Sequence, residues 1–218
     1  MSADRDFIEP LLKALRDLLA WFRTTGVPGV IVGGVAASIQ SEPRLTRDVD
    51  AVVLLGGRSL EEFLKDGARF GIVPRLSDAL KFARRNRILL LVHGSSSINL
   101  DVALGAMPFE EEMISRANVV EINGVSIPVA SPEDLIVMKA LPLRPVDARD
   151  ITSLVRMFPN LDKDRVRRWV REFAEVMEMP EIAERLEMHL APPRRKAPAL
   201  KAARRAPPGP GPRGASKR

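Results

Sequence analysis

The sequence predicts an α+β fold, a mixed sheet flanked by helices and followed by a helical C-terminal part. Three observations carry that expectation. Short apolar runs punctuated by glycine or Asn-Gly turns alternate with helical stretches through the first 130 residues. Apolar residues recur at spacings of three and four in the opening segment, and beyond Ser131 only helix-like patterns remain. A chain of 218 residues suits one domain with appendages and buries about two-thirds of its unfolded surface.

The elements follow in order. Phe7, Leu11, Leu12, Leu15, Leu18, Leu19 and Phe22 form the apolar stripe of a first helix that closes near Gly26 and Pro28. A strand over 30–32 enters Gly33-Gly34, a helix spans 35–41, and a second strand runs from Asp48 to Leu55. Helices are predicted over 58–70 and 77–86. The continuous apolar run 87–93, the turn Gly94-Ser95-Ser96-Ser97 and the strand around Asp101 read as a hairpin. A short helix at 108–117 precedes strands at 119–122 and 125–129, joined by Asn123-Gly124, the strongest two-residue hairpin signal. Ser131 caps a helix with Pro132 at its first position, and Lys139 lies about two turns in. Pro142 and Pro145 end it; helices from Asp147 to about Phe158, over 162–177 and over 180–190 complete the chain. Three parts result: a core at 1–130, a helical part at 131–190, and a basic Pro/Ala-rich tail at 191–218.

Composition narrows the chemistry. The chain has no cysteine, which excludes disulfides and thiolate metal sites, and two histidines, His93 and His189. Zinc is disfavoured, while carboxylates with magnesium are a consistent pairing. The acidic and basic residues of the first ten positions break any signal-peptide pattern, and no apolar run approaches a membrane span, so a cytoplasmic location is expected. The net charge of +6 resides wholly in the tail: 191–218 holds nine Lys or Arg and no acid, which leaves −3 on 1–190. With Leu200 as its one large apolar residue, that tail is expected to be a disordered arm, either solubilising or attracted to nucleic-acid phosphates.

The candidate site lies between Gly33 and Asp101. A glycine turn at the end of an apolar strand lets backbone N–H groups approach a polyphosphate, and the following helix N-terminus favours negative charge. In the strand that follows, Asp48 and Asp50 project from one face while Val49 and Ala51 project from the other. Two carboxylates on one face repel unless a cation lies between them. Asp101, between Leu100 and Val102, is a third carboxylate in an apolar strand, where a partner or a metal is required.

These residues resemble a known superfamily. Gly33-Gly34, then Arg44-x-Thr46-x-Asp48-x-Asp50, then the later strand Asp101, is similar to the polymerase-beta-type nucleotidyltransferases. Within that superfamily the resemblance is closest to the AbiEii-like toxins of type IV toxin–antitoxin systems and the nucleotidyltransferase-like domains grouped with them. The helix from Ser131 through Lys139, continuing to Arg144-Pro145-Val146-Asp147-x-x-Asp150-Ile151, resembles those families' lysine-bearing capped helix followed by Arg-Pro-Lys-Asp-x-x-Asp-Ile. The likeness covers about residues 25 to 160. Two departures stand out: Gly34 occupies a position often held by serine, which Ser38 replaces weakly, and Val146 occupies that of a lysine.

The resemblance implies transfer of a nucleoside monophosphate from a nucleoside triphosphate to an acceptor. Two magnesium ions are held by Asp48 and Asp50, with Asp101 completing the ion that activates the acceptor. Gly33, Gly34, Ser38 and Arg44 are the expected nucleotide contacts, and Lys139 offsets phosphate charge. The implied partners are an RNA acceptor, transfer RNA among the options, and an antitoxin protein. Two other readings share the residues: a catalytically silent nucleotide- or partner-binding module, and a small-molecule nucleotidyltransferase of the antibiotic-modifying kind. Without the resemblance, Asp147 reads as a helix cap, Asp150 as an arginine partner, Arg47 as a partner of Asp48, and His93 as structural.

Overall fold

The computed structural model of the chain describes residues 3–44, 46 and 48–190, so the basic tail at 191–218 and Arg47 lie outside the described residues. Seven strands form one mixed sheet: β1 (Gly29–Val32), β2 (Asp48–Val53), β3 (Ile72–Pro74), β4 (Ile88–His93), β5 (Ile98–Leu104), β6 (Asn118–Ile122) and β7 (Val125–Val129), in the order β3-β4-β5-β2-β1-β7-β6. The helices are α1 (Ala3–Thr25), α2 (Gly33–Gln40), α3 (Leu60–Gly67), α4 (Ala79–Asn86), α5 (Pro108–Ser115), α6 (Pro132–Ala140), α7 (Pro145–Met157), α8 (Lys163–Val176) and α9 (Glu181–Leu190). None of them is long and apolar enough to cross a membrane.

The centre of the sheet positions the candidate site. β1 runs antiparallel to β2, and β2 runs parallel to β5, which pairs Asp50 with Asp101 and Asp48 with Asn99. The β4–β5 hairpin is antiparallel, as the serine-rich turn predicts, and pairs Leu90 with Asp101. Because side chains alternate along each strand, Asp48, Asp50, Asn99 and Asp101 share one face; Val49, Ala51, Leu100 and Val102 bury themselves on the other.

On that second face α1 supplies the main apolar layer. Leu15, Leu18 and Phe22 are buried at the spacing the sequence shows, each stabilising the fold by about 1.5–3 kcal/mol. Trp21 stacks on Phe63 of α3 at a centroid distance of 4.2 Å, and its indole N–H donates to the Phe63 carbonyl at 3.1 Å. His93, at the end of β4, is buried with its ring 2.6 Å from Ser96 Oγ and 2.9 Å from Asp17 of α1. It pins the hairpin tip to α1, which is the structural role read from the sequence.

The C-terminal helices join the same hydrophobic core, which runs without a break from Ala14 to Leu190. Ser131 caps α6 by accepting the Asp134 N–H at 3.2 Å. Asp134 is fully buried and accepts from Arg165 of α8 at 2.8 Å, and Arg165 also pairs with Glu112 of α5.

Three elements depart from the sequence expectation. β3 is too short to show alternation and includes Pro74, which an edge strand tolerates because a residue without an N–H can sit where no neighbouring strand needs a donor. The helix expected from Arg58 starts at Leu60, where Ser59 caps it by accepting the Glu62 N–H, and it ends in a 3-10 turn at Ala68–Phe70. Pro145 opens α7 rather than separating two helices, since proline at a first helical position loses no hydrogen bond.

Candidate active site

The turn between β1 and α2 is shaped around Asp50. At Gly33 the backbone turns with φ +64°, and a Cβ there would overlap the Asp50 carboxylate, 2.6 Å from its Cγ. Glycine is therefore required twice over, for its conformation and for the space its missing side chain leaves. The Gly34 N–H lies close enough to the same carboxylate to favour its charged form. A Cβ on Gly34 would meet Thr46 Cγ2 at 2.7 Å and Arg44 Nη2 at 3.0 Å. A side chain at this position would therefore require Thr46 and the tip of Arg44 to shift. Ser38, the expected substitute, donates its hydroxyl to the Arg44 carbonyl at 3.2 Å. It holds the Arg44 segment instead of presenting a free hydroxyl.

Asp50 and Asp101 face each other as register partners on parallel neighbours, whose backbones lie about 4.8 Å apart. Their acidities record this closeness. The Asp50 carboxyl is held above its ordinary value by burial first, and then by repulsion from Asp101 and Asp48; the Gly34 N–H and the Lys139 charge offset part of this. Asp101 is also raised, by burial and by Asp48, against the lowering influence of Arg75. Asp48 is exposed at the open end of β2.

A charge network beside the carboxylates ties the two halves of the chain together. α6 is apolar nearly all round, so Lys139 near its end is only 5% exposed. Its ammonium donates to Asp150 at 2.7 Å and lies 3.6 Å from Asp147, both on α7. Arg44 grips Asp150 through two bonds of 3.2 and 3.1 Å. Arg144 grips Asp147 through two more, at 2.7 and 3.2 Å, while its backbone N–H donates to Asp147 as a helix cap. The buried Lys139 ammonium is thus engaged by two carboxylates of α7. The cations left at the surface of the network are Arg44, with a side chain 35% exposed, and Arg144, at 67%.

Two residues at this site escaped the sequence reading. Arg144 stands in the quoted motif, yet only the fold shows that Asp147 orients its guanidinium and that Asp50 lies within its electrostatic reach. It supplies a cation near the place where Val146 has none. Arg75, just beyond β3, forms an ion pair with Asp101, and no local pattern signals it because β3 itself is illegible.

The donor set fits magnesium: three carboxylates, two of them with pKa raised by burial and by neighbouring carboxylates, with no thiolate and no free histidine among them. Among the described residues, however, no three acidic or histidine side chains are already drawn together as an ion cage. Asp50 and Asp101 are register partners and share a face with Asp48, while the three side chains are not closed around a common point.

Comparison with known proteins bears on most of the chain. Residues 11–190 match the family described as nucleotidyltransferase of unknown function (DUF6036). No curated protein matches the chain. Among solved structures, the solution structure of the antibiotic-resistance factor ANT(2'')-Ia is similar at 19% identity and a TM-score of 0.53, over 80% of this chain and 97% of that one. The crystal structure of ANT(2'')-Ia with adenylyl-2''-tobramycin gives 15% and 0.44, over 84% and 99%. An antigenic nucleotidyltransferase-like protein from Paracoccidioides brasiliensis gives 16% and 0.40, over 81% and 92%.

Proposed function

Because the chain belongs to this nucleotidyltransferase family, we propose that it moves a nucleoside monophosphate from a nucleoside triphosphate onto an acceptor, with magnesium as cofactor. The single observation that carries the reading is the Asp50–Asp101 register beside the Gly33 turn. Asp48 and Asp50 would hold magnesium with the triphosphate, and Asp50 with Asp101 a second ion on the acceptor side. Bound magnesium would neutralise the triphosphate and make the acceptor oxygen a better nucleophile. The bond formed joins that oxygen to the α-phosphorus; the bond broken is that from the α-phosphorus to the bridging oxygen of the departing pyrophosphate, and the acceptor proton leaves to solvent.

The chain's own groups do the rest. The Gly33-Gly34 turn at the start of α2 would let the triphosphate approach the backbone beside Asp50. Arg44 and Arg144, oriented by Asp150 and Asp147, offset charge on the leaving pyrophosphate as it accumulates. Lys139 is a positioning residue that acts through Asp150 and Asp147. In this reading residues 1–130 carry the carboxylates and 131–190 carry the cations, and use of a nucleoside triphosphate suits a cytoplasmic protein.

The acceptor separates the finer readings. The AbiEii-like resemblance implies RNA, with transfer RNA as the substrate of a growth-inhibiting toxin and an antitoxin as its partner. The likeness in fold to ANT(2'')-Ia, an antibiotic-resistance factor, supports a small-molecule acceptor instead. The test is incubation with each α-labelled nucleoside triphosphate, magnesium and total cell RNA or a small-molecule pool, followed by size separation. Label on RNA supports the first, and label on small products supports the second. A third reading, a catalytically silent module, draws on Gly34, on the buried Lys139 and on the Arg75–Asp101 pair. Magnesium-dependent nucleotide binding with no label transfer to any acceptor would favour it.

A further inference from the structure

Arg75 is fixed by backbone as well as by charge. Its N–H donates to the Leu90 carbonyl at 2.9 Å, and Leu90 is the register partner of Asp101 on the next strand. The side chain reaches across β4 to the Asp101 carboxylate, its one ion-pair partner among the described residues. Both side chains are about one-third exposed, at 30% and 31%, so the pair sits at the edge of the site and not in the core. An exposed pair of this kind contributes little to folding. It does matter to a cation, since a guanidinium on Asp101 neutralises the carboxylate and takes up its coordinating oxygen.

We propose that Arg75 is the resident counter-ion of Asp101 and competes with the acceptor-side metal ion for that carboxylate. The inference rests on the metal reading of Asp48, Asp50 and Asp101. It goes beyond that reading by assigning the two ions unequal affinity. The ion held by Asp48 and Asp50 binds without disturbing Arg75, whereas the ion at Asp50 and Asp101 must displace it. Filling the second site releases Arg75, whose freed guanidinium is then available to phosphate oxygens.

The test is titration of the full chain with Mn²⁺, followed by electron paramagnetic resonance, in the wild type and in Arg75→Gln, Arg75→Lys and Asp101→Asn. The wild type should bind one Mn²⁺ more tightly than a second. Arg75→Gln should tighten the second about three- to tenfold, the range expected when a facing cation is removed from a partly exposed carboxylate, and leave the first unchanged. Arg75→Lys should stay near the wild type, and Asp101→Asn should abolish the second site alone. Thermal melting of Arg75→Gln within about 2 °C of wild type would confirm that folding is intact. If the wild type binds its first ion but Arg75→Gln leaves the second unchanged or weaker, this inference is overturned while the metal reading stands. If neither protein binds Mn²⁺, both are overturned.

Discussion

Changing Lys139 to Met should act on stability before it acts on chemistry. The substitution keeps the length and apolar stem of the side chain and removes only the ammonium, which lies 2.7 Å from Asp150 and 3.6 Å from Asp147. Those carboxylates are 7% and 1% exposed. Removing one partner of a buried ion pair costs about 3–5 kcal/mol, because the other charge stays buried and uncompensated. Here Arg44 and Arg144 still grip the two aspartates, so the cost should lie at the low end, about 3 kcal/mol. For a chain of this size each kcal/mol lowers the melting temperature by about 2–4 °C, giving a fall of about 6–12 °C. Adding Asp150→Asn to Lys139→Met should cost less than the two single changes summed, with a coupling of at least about 1 kcal/mol. Calorimetry on the four proteins of this cycle measures both quantities. A Lys139→Met protein that melts within 2 °C of wild type while losing nucleotide affinity would refute the argument and make Lys139 a direct phosphate contact.

Gly33→Ala should lower the melting temperature and abolish tight Mn²⁺ binding together, since its methyl collides with Asp50 and the φ of +64° is unfavourable for alanine; a variant with normal metal affinity would show that the turn does not shape the carboxylate. Asp50→Asn removes one of three neighbouring carboxylates, so the metal-free variant should melt at or above the wild-type temperature while its Mn²⁺ affinity falls; a clear loss of stability would contradict the repulsion described. Asp147 has the opposite sign. Burial raises its carboxyl, but the hydrogen bonds from Arg144 and the charges of Lys139 and Arg144 outweigh this and hold it below its ordinary value. Its contribution is therefore present above the unfolded value and lost as pH falls through the folded one, below about pH 4. Acid unfolding of Asp147→Asn, followed by circular dichroism, should be flatter in that window; an unchanged slope would remove the assignment.

The carboxylates and the glycine turn are legible in the sequence because local rules specify them. Alternation in Asp48–Val53 puts two aspartates on one face, and a lone Asp101 in an apolar strand demands a partner. Ser131 and Asn123-Gly124 mark their elements by capping and turn chemistry. What is not legible depends on distance along the chain. The burial of Lys139 is not legible because α6 is enclosed by α2, α7, α8 and α9, which come together only in the fold. The Arg44–Asp150 pair joins residues 106 positions apart, and Arg75 meets Asp101 only because β4 sits between their strands. β3 is three residues with a proline, too short for any period to show. The crowding of Gly34 by Thr46 and Arg44 is likewise a property of the folded loop.

The central claim is that Asp50 and Asp101 work as a pair on nucleotide chemistry, and pyrophosphate release measures it most directly. With saturating nucleoside triphosphate, magnesium and the acceptor pool that takes up label, the wild type should release pyrophosphate in step with acceptor labelling. Asp50→Asn and Asp101→Asn should each lose at least about 100-fold, the scale on which removal of a group acting only in the transition state is felt. The double variant should be little worse than either single one, because the two act as one unit. Wild-type rates in the Asp101→Asn protein, or losses in the two single variants that multiply in the double, would contradict the account.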